Sequence, residues 1–161
     1  MQVLQKVAIQ EVTSQRMTTI DSRRFIHSFW QLRQQIISQV NPRVREAHGV
    51  DFLEVMLLEQ IGTTDMSPSD IAELMQIPAH TISRKLDHLE KGGLIRRSLD
   101  PNDARRRVLS LTPTGREVAG QAQKTLDEEV GRMLATLSQQ DTAVMIRSLE
   151  TIAQKRAQET V

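Results

Sequence analysis

Two adjoining stretches of this 161-residue chain differ sharply in charge. From Asp51 to Pro78 there are six acids (Asp51, Glu54, Glu59, Asp65, Asp70, Glu73) and no Lys or Arg. From Ala79 to Arg116 there are nine bases (Arg84, Lys85, Lys91, Arg96, Arg97, Arg105, Arg106, Arg107, Arg116) against four acids (Asp87, Glu90, Asp100, Asp103). Clustered guanidinium groups are suited to phosphate oxygens and to planar pairs of acceptors. Charge alone leaves a second option open, a merely solvated face.

Other chemistries are poorly supplied. No Cys is present, which removes disulfides, thiolate metal sites, cysteine nucleophiles and thiol redox sensing. No G-x-x-x-x-G-K, H-E-x-x-H or G-x-S-x-G pattern occurs, so no enzyme is expected. His80 and His88 are eight residues apart on one expected helix, roughly 12 Å, too far to share an ion. Neither a metal nor a cofactor is expected.

The composition then bounds what must carry the basic stretch. Twenty-one Lys and Arg balance twenty Asp and Glu, and 39% hydrophobic with 25% charged residues is a globular mixture able to bury a core. Aromatics amount to 2%: Phe25, Phe29, Trp30 and Phe52. Base-stacking recognition of single-stranded nucleic acid is therefore not expected. No apolar run approaches the roughly 18 residues of a membrane span, and MQVLQKVAIQEVTSQR lacks a signal peptide's apolar core, so a cytoplasmic location is expected.

Periodicity supplies the positioning elements. Phe25, Phe29, Leu32, Ile36 and Val40 recur at helical spacing, predicting one helix over about 22–47 that Pro42 kinks or ends early. Asp51 and Glu54 have capping-box spacing and open a second helix, closed by Gly62. Ser67-Pro68-Ser69-Asp70 is a strong helix start, and the helix runs through Met75. After the short link Gln76-Ile77-Pro78, a helix with Ile82, Leu86 and Leu89 inward ends at Gly92-Gly93. The pair forms a helix-turn-helix. Leu94–Ser98 and Arg107–Leu111 read as a hairpin with a long basic tip. Thr112-Pro113 opens a long helix, and Ser138 caps a last one. The fold class is mainly α with a small β wing.

A helix-turn-helix followed at once by a basic hairpin is a winged helix. With Asp70-Ile71-Ala72-Glu73-Leu74, Leu89-Glu90-Lys91-Gly92-Gly93-Leu94-Ile95, and Asp103-Ala104-Arg105 leading to Leu111-Thr112-Pro113-Thr114-Gly115, the chain resembles the multiple-antibiotic-resistance regulator (MarR) family of bacterial transcription factors. The D-x-R and L-T-x-x-G pattern is the most specific part. The resemblance implies a transcriptional regulator, most often a repressor, that binds a pseudo-palindromic site on double-stranded DNA as a homodimer, close to the nucleoid. It divides the chain into an extension of unknown role (1–21), an N-terminal dimerisation helix (22–50), a winged helix-turn-helix (51–115) and C-terminal dimerisation helices (116–161). A winged-helix adaptor that binds protein, and an architectural binder with little sequence preference, are the alternative readings.

Helical spacing places Ala79, His80, Ser83, Arg84 and Asp87 opposite the buried stripe, with Thr81 and Lys85 on the flanks. His80, Thr81, Ser83, Arg84 and Lys85 are the expected DNA contacts of this helix. Arg84 matches the family's groove-reading arginine, able to bond O6 and N7 of guanine together; a phosphate clamp is its alternative role. Arg105 matches the family's wing-tip arginine, which enters the minor groove. Asp103 is expected to pair with a wing arginine, and Arg106 and Arg107 share phosphate contact and that ion pair in an order left open. Of Arg96 and Arg97, alternating along a strand, at most one faces the duplex. The family's small-molecule effectors, frequently aromatic acids or phenols, point to His27, Phe29, Trp30, Arg33 and Phe52 as effector-binding residues; rings filling a dimer core are the other reading.

Overall fold

The computed structural model describes residues 21–63, 66–100 and 107–158. The chain divides into two compact units, Met1–Gln39 and Val40–Val161. In the first, residues 21–35 form helix α1. Phe25 and Phe29 stack on it with ring centroids 6.1 Å apart, and the Arg33 guanidinium lies 5.3 Å from the centre of the Trp30 ring. Phe25, Ile26, Phe29 and Trp30 are all about half exposed or more.

A π-helical turn, Ile36–Val40, separates α1 from α2 (Asn41–His48). The expected single helix is therefore interrupted ahead of Pro42, not ended by it. Pro42 has no N–H to offer the carbonyl four residues earlier, and widening the preceding turn accommodates that missing bond. Gly49, at φ 72°, terminates α2 in the left-handed conformation.

The second unit is built around α3 (Phe52–Thr63), α4 (Pro68–Met75), α5 (Ala79–Lys91), strands β1 (Ile95–Leu99) and β2 (Arg107–Leu111), α6 (Pro113–Leu134) and α7 (Gln139–Gln158). Each start follows from a local signal. Ser67 and Asp70 exchange both bonds of a capping box at α4. Thr112 accepts from Gly115 N at 2.9 Å at α6, and Ser138 accepts from Asp141 N at 3.1 Å at α7. Gln76 ends α4 at φ 53°, giving the tight turn into α5.

β1 and β2 pair antiparallel, with Ile95 opposite Leu111 and Leu99 opposite Arg107. Leu109 N also donates to Met66 O at 3.1 Å, tying the wing to the segment ahead of α4. The core holds Leu57, Leu58, Ile71, Ile82, Leu86, Leu89 and Leu109, all fully buried, and each is worth roughly 1.5–3 kcal/mol. α3 is the central element, packed on α5, β2 and α6. Gly62 does not close α3 as expected; it lies in the last turn, where an added Cβ would sit 3.1 Å from Leu111 Cδ1. It therefore packs close against the Leu111 side chain of β2. No described residue of α7 is buried, and Val144, Ile146, Leu149 and Ile152 are among the exposed hydrophobics.

Candidate nucleic-acid interface

α5 is amphipathic by construction. Ile82, Leu86 and Leu89 are fully buried against the core, which leaves Ala79, His80, Ser83, Arg84 and Asp87 exposed on the opposite face and Thr81 half-buried at its flank. Arg84 pairs with no carboxylate among the described residues. Pro78, at the N-cap, provides no side-chain bond to the first turn. The exposed edge thus offers an imidazole, hydroxyls and an exposed guanidinium on a rigid helix, the donor set that reads base edges and phosphates.

Lys85 departs from expectation. From the flank of α5 its ammonium is directed at Asp51 and lies 3.3 Å from Glu54 Oε1, with its side chain only 19% exposed. Two partly buried carboxylates attract it more strongly than water does. Glu54 Oε1 also meets His88 Nδ1 at 2.9 Å, and Arg45 Nη2 donates to Asp51 Oδ2 at 3.2 Å. Arg45, Glu54, Arg84, Lys85 and His88 line one open cleft of about 250 Å3 beside α5.

The same two acids cap α3: Asp51 N donates to Glu54 Oε2 at 2.8 Å and Glu54 N to Asp51 Oδ1 at 3.1 Å. Burial works to raise the Asp51 pKa, but the Lys85 hydrogen bond, the Glu54 backbone bond and the charges of Lys85 and Arg45 outweigh it. Its carboxyl is held below the usual range. The capping box was legible in the sequence; that its acids also bind α5, 31 and 34 residues on, was not.

On the wing, Arg97 shares the inward face of β1 with Ile95 and donates to Asp87 Oδ1 of α5 at 2.6 Å, with Glu90 Oε2 3.4 Å from its Nε. Arg96, on the other face opposite Ser110, is exposed. One of the two is therefore committed to holding the wing on α5. Arg107 is exposed at the start of β2, while Asp103, Arg105 and Arg106 lie outside the described residues. Of the expected effector residues, His27, Phe29, Trp30 and Arg33 are exposed on α1, and Phe52 is half-buried at the start of α3.

The remaining fixed point is the junction of wing and α6. Thr112 Oγ1 donates to Gly93 O at 2.7 Å, Thr112 N to Leu94 O at 3.0 Å, and Gly115 packs so closely that a Cβ there would lie 1.8 Å from Leu94 O. The L-T-x-x-G pattern is thus a backbone-on-backbone weld. A family model described as "MarR family" matches residues 48–106, from the end of α2 into the wing. The winged-helix segment of this chain is similar to the MarR family.

That family comprises transcriptional regulators, not enzymes. The chain is similar to the HTH-type transcriptional regulator PrsX of Escherichia coli, 30% identical over 94 residues, covering 52% of this chain and 57% of that protein. It is also similar to the uncharacterized HTH-type transcriptional regulator YdgJ of Bacillus subtilis, 29% identical over 82 residues, covering 51% and 50%. The chain spans about half the length of these curated relatives. Among solved structures, the fold is like that of the transcriptional regulator BldR from Sulfolobus solfataricus (TM-score 0.76, 22% identity, covering 84% of this chain and 96% of that one). It is also like Streptococcus pneumoniae FabT in complex with DNA (TM-score 0.69, 21% identity, covering 85% and 98%). No described helix is long and apolar enough to cross a membrane.

Proposed function

We propose that this chain is a sequence-specific double-stranded-DNA-binding transcriptional repressor that occupies a pseudo-palindromic operator as a homodimer and is released by a small aromatic acid or phenol. The observation that carries the DNA reading is the outward edge of α5, where exposed His80, Ser83 and Arg84 stand opposite a fully buried Ile82–Leu86–Leu89 stripe. α5 enters the major groove and Arg84 bonds a guanine edge, with His80, Thr81 and Ser83 on neighbouring bases or phosphates. Arg105 reaches the minor groove from the wing tip, Asp103 and Arg107 hold the wing, and Arg106 meets phosphate. Lys85 is left out of this set because its charge is engaged by Asp51 and Glu54.

Dimerisation is supported by exposed apolar side chains on two helices, Phe25, Ile26, Phe29 and Trp30 on α1 and Val144, Ile146, Leu149 and Ile152 on α7, which a second copy would cover. Two copies related by a two-fold axis present two α5 helices to half-sites about one helical turn apart, roughly 34 Å. The effector reading is supported by the uncovered rings of α1 and by Arg33, whose guanidinium lies over Trp30 and can still donate to a carboxylate from its edge.

Selection of sites from a random duplex library by the purified protein near physiological salt tests the reading. Enrichment of a pseudo-palindrome with half-sites about ten base pairs apart is the expected result. Strong retention without any motif would identify an architectural binder, and no retention an adaptor. Benzoate and phenol, titrated against the selected complex, are expected to release the DNA.

A further inference from the structure

Asp51 and Glu54 do more than cap α3. After exchanging their reciprocal capping bonds, each still directs a carboxylate oxygen at α5: Asp51 Oδ2 at Lys85, and Glu54 Oε1 at both Lys85 and His88. Their side chains are only 9% and 3% exposed. A helix cap needs neither such burial nor a cationic partner on another helix.

The contact falls where it controls orientation. Lys85 and His88 are one turn apart on the flank of α5, between the buried Ile82–Leu86–Leu89 stripe and the exposed edge that carries Arg84. Apolar burial is non-directional: it holds α5 on the core but resists a small roll about the helix axis weakly. Charge-assisted hydrogen bonds are directional and resist that roll. Because Arg84 immediately precedes Lys85, the angle at which Lys85 is tied sets the angle at which Arg84 leaves the helix.

We infer that Asp51 and Glu54, acting through Lys85, are positioning residues that fix the roll of the recognition helix, so that base discrimination by Arg84 depends on two acids that touch no DNA. The inference rests on the reading of α5 as the helix that enters the groove. Its signature separates it from a phosphate contact: weakening the tie costs affinity for the selected sequence and leaves the sequence-independent attraction in place.

The test measures affinity of the full chain for the selected duplex and for a random duplex of equal length, over a series of salt concentrations, with a thermal melt of each variant. Asp51→Asn is the main variant, since Asn also caps helices well and α3 keeps its start. It is expected to lose on the order of tenfold on the selected duplex, the scale of one bidentate base contact, and to bind the random duplex as well as or better than the wild type, having shed a negative charge. Lys85→Met is expected to show the same selective loss with an unchanged salt slope, and the double variant to lose no more than either single one. Equal losses on both duplexes, or a salt slope smaller by about 1 in Lys85→Met, would mark Lys85 as a phosphate contact and overturn the inference. Full discrimination in Asp51→Asn overturns it alone; a wild-type chain that prefers neither duplex overturns the groove reading and the inference with it.

Discussion

Gly115 gives the sharpest test of how the wing is fixed to α6. An alanine Cβ there would lie 1.8 Å from Leu94 O and 2.8 Å from Leu94 C, both backbone atoms that no rotamer change can move. Restoring an ordinary contact of 3.4 Å requires the start of α6 and the start of β1 to part by about 1.6 Å, the difference of those two distances. Overpacking of this kind costs about 1–3 kcal/mol. The same displacement breaks the bonds from Thr112 N to Leu94 O and from Thr112 Oγ1 to Gly93 O, at about 1 kcal/mol each. Alanine's better helix propensity returns about 1 kcal/mol. The net loss is about 3 kcal/mol, or roughly 6–12 °C in Tm for a chain of this size. Circular dichroism melts of Gly115→Ala and of Gly120→Ala, where an added Cβ would meet nothing within 4 Å beyond its own helix backbone, form a matched pair. Gly120→Ala is expected to rise by roughly 1–4 °C from about 0.5–1 kcal/mol of helix propensity. A Gly115→Ala protein that melts at or above the wild type would refute the packing argument.

Arg84→Ala is expected to lose about 1–3 kcal/mol of discrimination at one base pair and little affinity for random duplexes; equal losses on both, measured by anisotropy, would make Arg84 a phosphate clamp instead. Asp51 titrates below the usual carboxylate range in the folded chain, so its contribution to stability is complete above about pH 4 and is lost as the pH falls through its folded value. Urea melts from pH 6 to pH 2 should show Asp51→Asn less stable than the wild type at pH 6, with the gap narrowing in acid. Gln76→Gly should raise stability by about 0.5–1 kcal/mol, because the residue sits at φ 53°, where glycine carries no steric cost; a loss in the same assay would mean that the bond from Gln76 Nε2 to Glu73 O outweighs the backbone term.

Much of the site was legible because its signals are local. The inward stripe of α5 follows from 3.6-residue periodicity, which placed Ile82, Leu86 and Leu89 together and left Arg84 outside. Ser67, Thr112 and Ser138 announced helix starts because a side-chain oxygen two or three residues ahead of a free amide is an interaction within a single turn. Pro42 announced a disturbance, but its form, a π turn placed before it, depends on how the upstream carbonyls find partners.

Lys85 shows where local reasoning ends. By spacing it belongs on the flank of α5, which predicts a DNA contact. Its choice was made by α3, which carries Asp51 and Glu54 to the same flank from more than 30 residues upstream. Arg97 is a similar case, since alternation said only that at most one of Arg96 and Arg97 faces the duplex, and the packing of β1 on α5 directed Arg97 to Asp87 and Glu90. The sequence by itself determined which elements form, where they begin, and which face of each is apolar, because propensity, capping and periodicity act within a turn or two of chain. Only the tertiary structure decided which charges meet and why Gly115 must lack a side chain, because those outcomes depend on the distance between segments far apart in the chain, which no local pattern encodes.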